Sequence, residues 1–255
     1  MSTSSFPQII CRKIFHFASA LMFLPSLFLT NSDSFLLMAV SLSIVIGLLF
    51  IIEMCRNSLQ STRYLFENVF TYYDMFIDYR DTNQNIVLSH IYLLLGTAIS
   101  IWYYISFRCS SKYSSLMDAE DVSSSGRMLQ LSRYFGVVSV CIGDSFGAIF
   151  GVYFGKLKWK STALGPLLKS NPSAGNRSVE GSAGVLISTF VSLLALFILS
   201  FSFDKLSLTD VISLFILSLV GSITEAFSSS NDNVMMPLAM LVTLSLICHF
   251  QKSNL

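Results

Sequence analysis

Charge is scarce in this sequence. Only 12% of its 255 residues are Asp, Glu, Lys or Arg, whereas 53% are hydrophobic. Soluble domains carry about 25% charged residues, so this composition excludes an ordinary soluble protein and indicates a polytopic membrane protein. The net charge is only +1, and no basic domain indicates nucleic-acid binding.

Metal-binding cysteine motifs and a P-loop are also absent from the sequence. The five cysteines are scattered, without a Cys-x-x-Cys pair or a Cys/His zinc spacing, so we expect small apolar residues in membrane helices. The segment GVYFGKL at 151–157 has three residues between its glycines and Leu157 after the lysine. A P-loop needs four residues there and a Ser or Thr, so the pattern excludes this nucleotide-binding loop.

Long apolar runs are what the chain has instead. A membrane span needs about 20 mostly apolar residues. Seven runs qualify, at 14–30, 35–54, 86–107, 133–154, 183–203, 209–227 and 233–250. The first run is short and contains Pro25. We therefore predict an all-α fold, a polytopic bundle of about seven spans that forms one membrane-embedded domain over 1–255.

Two polar segments separate these runs. Segment 56–85 has Phe and Tyr at helical spacing with charges between them, which predicts an amphipathic helix on the membrane surface. Segment 108–133 is rich in serine and predicts a mobile loop without chemistry.

Charged clusters fall on one predicted side of the membrane. Seven crossings place the clusters 12–16, 78–81, 155–182 and 224–233 together, on the side that carries most of the Lys and Arg residues. The positive-inside rule places that side in the cytosol. The sequence therefore predicts one site, formed by four separate segments at the cytosolic face.

One carboxylate, Asp144, lies inside an apolar run. A charge at membrane depth is costly and is a functional candidate, although a polar contact between helices is the alternative. Carboxylates with Lys and Arg suit Mg²⁺-assisted phosphate chemistry. Asp144 is the first candidate metal ligand, followed by Asp232 and Glu180, for which solvated loop charges are the alternative. Glu225 is either a ligand or a residue that orients Asn233.

Glycines recur at every fourth position around Asp144, at Gly143, Gly147, Gly151 and Gly155. They permit either close helix packing or a close approach of backbone to phosphate. Packing is favoured for Gly147 and Gly151, and phosphate approach for Gly155. Separately, His16 follows Lys13 by three residues, so both lie on one helix face. His16 either binds phosphate, shuttles a proton or has no special role.

Four blocks of this chain together resemble the dolichol kinase family. The blocks are RKIFHF at 12–17, FIDYRDTNQNIVLSHIYLLLG at 76–96, GVVSVCIGDSFGAIFGVYFGKLKW at 136–159 with RSVEGS at 177–182, and EAFSSSNDNVMMPL at 225–238. They occur in the family's order over nearly the whole chain. The wider superfamily includes phytol and farnesol kinases and phosphatidate cytidylyltransferases, but the DYRD and SHIYLLLG stretches favour the dolichol branch.

The resemblance implies a reaction. Dolichol and CTP would give dolichyl phosphate and CDP, with Mg²⁺, at the cytosolic face of the endoplasmic reticulum, supplying the lipid carrier for protein glycosylation. The alternatives are a kinase for another prenol and a CTP-dependent lipid cytidylyltransferase. A transporter or a non-catalytic scaffold is a further alternative, but the chain shows no internal repeat and its charged motifs share one side.

Residue types and the resemblance together define a candidate site. The catalytic candidates are Asp144, Glu180, Asp232 and His16, with Asp144 and Asp232 as metal ligands. The resemblance places the CTP-binding loop at about 155–182, and its candidates are Gly151, Gly155, Lys156, Lys158, Arg177, Ser178 and Gly181. Expected contacts to phosphate or substrate come from Arg12, Lys13, Asn233 and Glu225.

The chain departs from the family pattern in several places. Arg177 and Ser178 stand where the family usually has Lys and Thr, and Gly147 replaces a usual Ala. The loop between Lys160 and Arg177 is longer than usual, which leaves open the lysine that touches phosphate. Eukaryotic members usually carry further spans before the RKIFHF block. This chain is therefore either a compact catalytic form or one that lacks the N-terminal half.

Overall fold

The structure is a computed structural model that describes residues 8–29, 32–58, 88–109, 123–162, 177–228 and 232–253. These residues form eight α-helices, with short 3₁₀ and π segments between them. The helices are α1 (Gln8–Leu29), α2 (Ser32–Ser58), α3 (Ser89–Arg108), α4 (Ser124–Leu131), α5 (Asp144–Tyr153), α6 (Val179–Phe201), α7 (Leu208–Phe227) and α8 (Asp232–Ser253). Within these ranges the only β-type pairing is a single bridge, so the all-α prediction is confirmed.

Five helices are long and apolar enough to cross a membrane: α2, α3, α6, α7 and α8. A sixth span results if Ser124–Tyr134 and Val137–Tyr153 count as one, although these two parts are bent by 53°. The first predicted span contains only a shorter apolar helix, His16–Leu29. The multi-pass bundle is therefore confirmed, whereas the count of seven is not. The amphipathic helix predicted within 56–85 falls, from residue 59 onwards, outside the described residues.

The prediction of a loop over 108–133 is wrong for its last part, because residues 124–131 form helix α4. Ser123 caps this helix, accepting a hydrogen bond from the Gly126 backbone N–H at 3.2 Å. Met128 and Leu131 are fully buried. The serine-rich composition concealed this helix, because its stability comes from burial against other helices and not from its own sequence.

Helix α4 is also held by a buried ion pair at the end of the bundle where α7 begins. Arg127 Nη2 lies 2.7 Å from Asp210 Oδ2, and Asp210 is fully buried. Ser124 Oγ donates to Asp210 Oδ1 at 2.6 Å. Ser207 forms a capping box with Asp210 at the start of α7. Asp210 therefore joins α4 to α7.

Small residues let α5 lie close to α6. A Cβ atom at Gly143 would lie 2.6 Å from Thr189 Cγ2, and one at Gly147 would lie 2.4 Å from Val185 Cγ2. Both distances are shorter than real Cβ contacts, so only glycine fits there without rearrangement. This is the packing role expected for Gly147, and it presses the helix that begins at Asp144 against α6.

A second close crossing joins α3 to the start of α8. A Cβ atom at Gly96 would lie 2.0 Å from the backbone oxygen of Asn233, and one at Gly136 would lie 2.4 Å from the backbone oxygen of Gly96. The glycine that ends the SHIYLLLG stretch therefore sets the position of the first turn of α8. That turn carries Asp232 and Asn233.

Candidate active site

Asp144 forms a buried ion pair with Lys13 of α1. The Lys13 ammonium group donates to Asp144 Oδ2, and only 2% of the Lys13 side chain and 11% of the Asp144 side chain are exposed. His16 Nε2 lies 3.5 Å from the same oxygen. Lys13 and His16 thus share one face of α1, as their spacing predicts. Pairing compensates the cost of burying the two charges.

Asp144 stands where the helix changes its geometry. A π-helix, Val137–Gly143, precedes it, and Asp144 is the first residue of α5. π-Helical segments are rare and often occur at functional sites. The carboxylate of Asp144 is therefore held at a defined place by backbone geometry as well as by Lys13.

Arg177 lies between two carboxylates from the α7–α8 region. One terminal nitrogen, Nη1, donates to Glu225 Oε1 and to the Glu225 backbone oxygen. The other, Nη2, donates to Asp232 Oδ2 at 2.8 Å. Burial disfavours the charged guanidinium, but Glu225 and Asp232 outweigh this effect and hold the pKa of Arg177 above its ordinary value. Arg177 is therefore a permanent positive charge in a fixed orientation.

The two ion-pair clusters are neighbours. A Cβ atom at Gly96 would lie 2.0 Å from the backbone oxygen of Asn233 and 3.1 Å from Val140 Cγ2, so the turn that carries Asp232 lies beside the π-helix that leads to Asp144. The structure thereby brings together three of the four charged segments predicted to meet, which are 12–16, the 155–182 loop and 224–233. The fourth segment, 78–81, lies outside the described residues. Among the described ion pairs of this region, Asp144 is paired with Lys13, and Glu225 and Asp232 are paired with Arg177.

The ends of the predicted nucleotide loop are pinned together by backbone pairing. Lys158 and Ser178 form an antiparallel bridge. The Trp159 N–H donates to the Arg177 backbone oxygen at 3.0 Å, and the Val179 N–H donates to that of Leu157 at 2.9 Å. Residues 163–176, between these ends, are outside the described ranges. The bridge fixes Arg177 relative to the end of α5.

Glu180 holds the same loop from the α6 side. Its two carboxylate oxygens accept from the Leu157 N–H at 3.0 and 3.2 Å. Ser178 caps α6, accepting from the Gly181 N–H at 3.1 Å. In the described contacts Glu180 and Ser178 therefore shape the loop, and a direct role in catalysis or CTP binding remains a prediction.

The loop glycines lie in tight packing. A Cβ atom at Gly155 would lie 2.2 Å from the Gly151 backbone oxygen and 2.7 Å from Ser178 Oγ, and one at Gly181 would lie 3.3 Å from Gly151 Cα. The chain itself thus requires these glycines, and phosphate approach at Gly155 remains a prediction. Of the two lysines predicted to bind CTP, Lys156 is exposed and Lys158 is half-buried.

Asn233 offers an oxygen without a partner. Its Oδ1 is buried and has no hydrogen bond among the described residues, while its backbone N–H donates to Asp232 Oδ1 at 3.1 Å. Glu225, predicted as a ligand or a residue that orients Asn233, instead contacts Arg177. Arg12 lies in α1, but its side chain is not among those described.

This region contains oxygen atoms of the kind that hard divalent cations bind. Mg²⁺ prefers oxygen ligands and commonly binds one or two carboxylates together with phosphate oxygens and water. Asp144, Asp232 and Asn233 Oδ1, which has no hydrogen bond among the described residues, carry oxygen atoms of this kind. No three His, Cys, Asp or Glu side chains in the described ranges are grouped so that they could hold a metal ion.

Sequence reasoning missed three residues beside Arg177. Trp159 Nε1 donates to Ser182 Oγ at 3.0 Å, and Ser182 Oγ lies 3.3 Å from Glu225 Oε2. Ser222 Oγ donates to the Ser182 backbone oxygen at 2.6 Å. A tryptophan at the polar end of an apolar run was the available signal, because its N–H seeks a partner when buried.

Comparison with known proteins agrees with the resemblance. The chain is 27% identical to dolichol kinase EVAN of Arabidopsis thaliana over 96% of its own length and 36% of that protein. It is 26% identical to dolichol kinase of Homo sapiens over 92% of its length and 38% of that protein. For dolichol kinase of Saccharomyces cerevisiae the identity is 24%, over 92% of this chain and 36% of that protein.

The chain thus spans little more than a third of the length of the curated relatives it matches. No family model and no solved structure matches it. Similarity to several dolichol kinases over more than nine-tenths of the chain supports its assignment to the dolichol kinase family.

Proposed function

We propose that this chain phosphorylates dolichol with CTP, giving dolichyl phosphate and CDP at the cytosolic face of the endoplasmic reticulum membrane. Similarity to dolichol kinases supports the substrate class. The observation that carries the proposal is the presence of two neighbouring buried ion-pair clusters, Lys13–Asp144 and Arg177–Glu225–Asp232. Cations and carboxylates in one buried region are what phosphoryl transfer requires.

In this proposal the positively charged side chains bind the phosphate groups of the nucleotide. Arg177 presents a planar fork that suits phosphate oxygens, and Glu225 and Asp232 orient it before the nucleotide arrives. Lys13 lies beside Asp144 and can share its positive charge with a phosphate oxygen. Preorganised charges of this kind lower the barrier because they need no reorientation during the reaction.

The carboxylates would bind the metal ion and accept the proton of the lipid hydroxyl group. Asp144 and Asp232, with Asn233, would hold Mg²⁺, which would neutralise charge on the phosphates. The lipid hydroxyl attacks the γ-phosphorus in line, the bond to the CDP leaving group breaks, and a carboxylate accepts the hydroxyl proton. His16, 3.5 Å from Asp144, is the neighbouring candidate for moving that proton.

The decisive test is phosphoryl transfer by this chain alone. Membranes that contain it would receive γ-labelled CTP or ATP, with dolichol or farnesol. We expect CTP-dependent labelling of dolichol, and the Asp144→Asn variant serves as the inactive control. Labelling of farnesol alone would assign the chain to another prenol kinase. Release of pyrophosphate instead of CDP would indicate a cytidylyltransferase, and no product would refute the proposal for the chain as it stands.

A further inference from the structure

We propose that Trp159 is a positioning residue that orients the Arg177 guanidinium through Ser182 and Glu225. This inference rests on the proposed function for its meaning and for its second test, but not for its first test. It concerns a tryptophan at the beginning of the nucleotide loop, for which neither the resemblance nor the comparisons supply a role.

Trp159 contacts the backbone of Arg177 directly and its guanidinium through other residues. Its backbone N–H donates to the Arg177 backbone oxygen at 3.0 Å, which fixes the main chain at that position. Its indole Nε1–H donates to Ser182 Oγ at 3.0 Å. The first contact holds the beginning of the arginine side chain, and the second begins a path to the guanidinium at its other end.

The path runs through one hydroxyl group. Ser182 Oγ accepts from the indole, and its own proton can be donated to Glu225 Oε2, 3.3 Å away, in competition with the Ser178 backbone oxygen, 3.4 Å away. Glu225 uses its other oxygen, Oε1, to bind Arg177 Nη1. Ser182 is almost fully buried, and Ser222 fixes its backbone at 2.6 Å. Each carboxylate oxygen thus has a separate partner, which restricts rotation of the carboxylate.

The aromatic ring keeps Trp159 in place. Its centroid lies 6.3 Å from that of Phe227 at the end of α7, with an angle of 40° between the rings. The indole therefore packs on the same helix that carries Glu225. A Trp159→Phe variant would keep an aromatic ring and the backbone contact, and would remove the indole N–H together with the five-membered part of the ring.

The first test examines the relay, by which we mean the hydrogen-bonded path from Trp159 through Ser182 and Glu225 to Arg177, in protein without any ligand. The chain has two tryptophans, Trp102 and Trp159, so ¹⁵N-labelled protein in detergent gives two indole signals. The Trp102→Phe and Trp159→Phe variants assign them. We expect Glu225→Gln and Arg177→Lys each to shift the Trp159 indole signal and to leave the Trp102 signal unchanged. An unchanged Trp159 signal in both variants would overturn the proposal.

The second test measures what the relay does in the reaction. We expect Trp159→Phe to lower kcat/KM for CTP about five- to tenfold, the value of one net hydrogen bond, with the KM for dolichol unchanged. Trp102→Phe is the matched control, since its indole only approaches the Ala39 backbone oxygen at 3.5 Å. Ser182→Ala should lower kcat/KM similarly, and the double variant should lose no more than either single one.

These outcomes separate the two proposals. If wild-type protein phosphorylates no prenol, the proposed function fails, while the indole signals still decide the relay. If activity is present and the losses from Trp159→Phe and Ser182→Ala multiply, the two residues act independently and the relay is wrong. An equal rise in the KM for dolichol would indicate general loosening of the fold and would also overturn it.

Discussion

The buried Lys13–Asp144 pair is expected to contribute both to the stability of the fold and to the proposed activity. Either single variant, Lys13→Met or Asp144→Asn, removes the counter-ion of a buried charge, so we expect a lower unfolding midpoint. We also expect each to lower turnover by about 100-fold or more, because a preorganised charge is lost. The measurements are thermal unfolding and CTP-dependent labelling of dolichol, both in detergent.

The double variant Lys13→Met/Asp144→Leu separates these effects. Replacing a buried ion pair by apolar groups is often neutral for stability, so the unfolding midpoint should return towards that of wild type while turnover stays low. Recovery of turnover in the double variant, or near-normal turnover of Asp144→Asn alone, would show that the pair only supports the fold.

The planar guanidinium group of Arg177 binds two carboxylates at once, which the single ammonium group of a lysine cannot do in the same geometry. We expect Arg177→Lys to lower turnover by about 10- to 100-fold, because one ammonium cannot hold Glu225 and Asp232 in the same planar geometry. Since the pKa of Arg177 lies above its ordinary value, the wild-type charge persists as pH rises, and the loss should be equal across the neutral range. Arg108→Lys, on α3, is the control and should change turnover little. A strong pH dependence of the loss would contradict this assignment.

At the scale of elements, the close crossing of α3 with α8 positions the first turn of α8, which carries Asp232. Gly96→Ala would place a Cβ atom 2.0 Å from the backbone oxygen of Asn233, and backbone cannot move aside cheaply. We expect a loss of stability of about 1–3 kcal/mol, and lower turnover because Asp232 shifts with that turn. Circular-dichroism melting and the labelling assay would measure both.

Gly47→Ala provides the control for this substitution. Gly47 lies in α2, and a Cβ atom added there would have nothing within 4 Å, so alanine should be neutral or slightly stabilising. If Gly96→Ala behaves like Gly47→Ala, the close crossing of α3 and α8 is incorrect.

At the scale of the whole molecule, the two ends of α7 have different tasks. Glu225 lies at the end that carries the candidate site, whereas Asp210 joins α4 and α7 at the other end. Fifteen residues of helix separate them by about 22 Å. We expect Asp210→Asn to lower the free energy of unfolding by about 3 kcal/mol through the lost pair with Arg127.

The activity of Asp210→Asn should nevertheless be close to that of wild type at temperatures where both are folded. The measurement is kcat per folded protein, with folding followed by size-exclusion chromatography. A large change in kcat at full folding would mean that the Asp210 end is coupled to the site.

Local patterns were enough to predict the class of fold, and they identified charged residues that the structure brings together, such as Lys13 with Asp144. Hydropathy identified five of the helices that can cross a membrane, because each helix carries its own apolar composition. It did not show that α4 is a helix or that the run around Asp144 is bent, since those features depend on neighbouring helices. The span count was therefore the weakest part of the prediction.

The sequence by itself determined that this is a helical membrane protein with a candidate phosphate site and a resemblance to dolichol kinases, because composition, periodicity and motifs are local. Only the tertiary structure decided the partner of each charge. Lys13 meets Asp144 across 131 positions and Arg177 meets Asp232 across 55. Such pairings follow from how helices cross, and small residues such as Gly96 and Gly147 set those crossings through contacts far away in the chain.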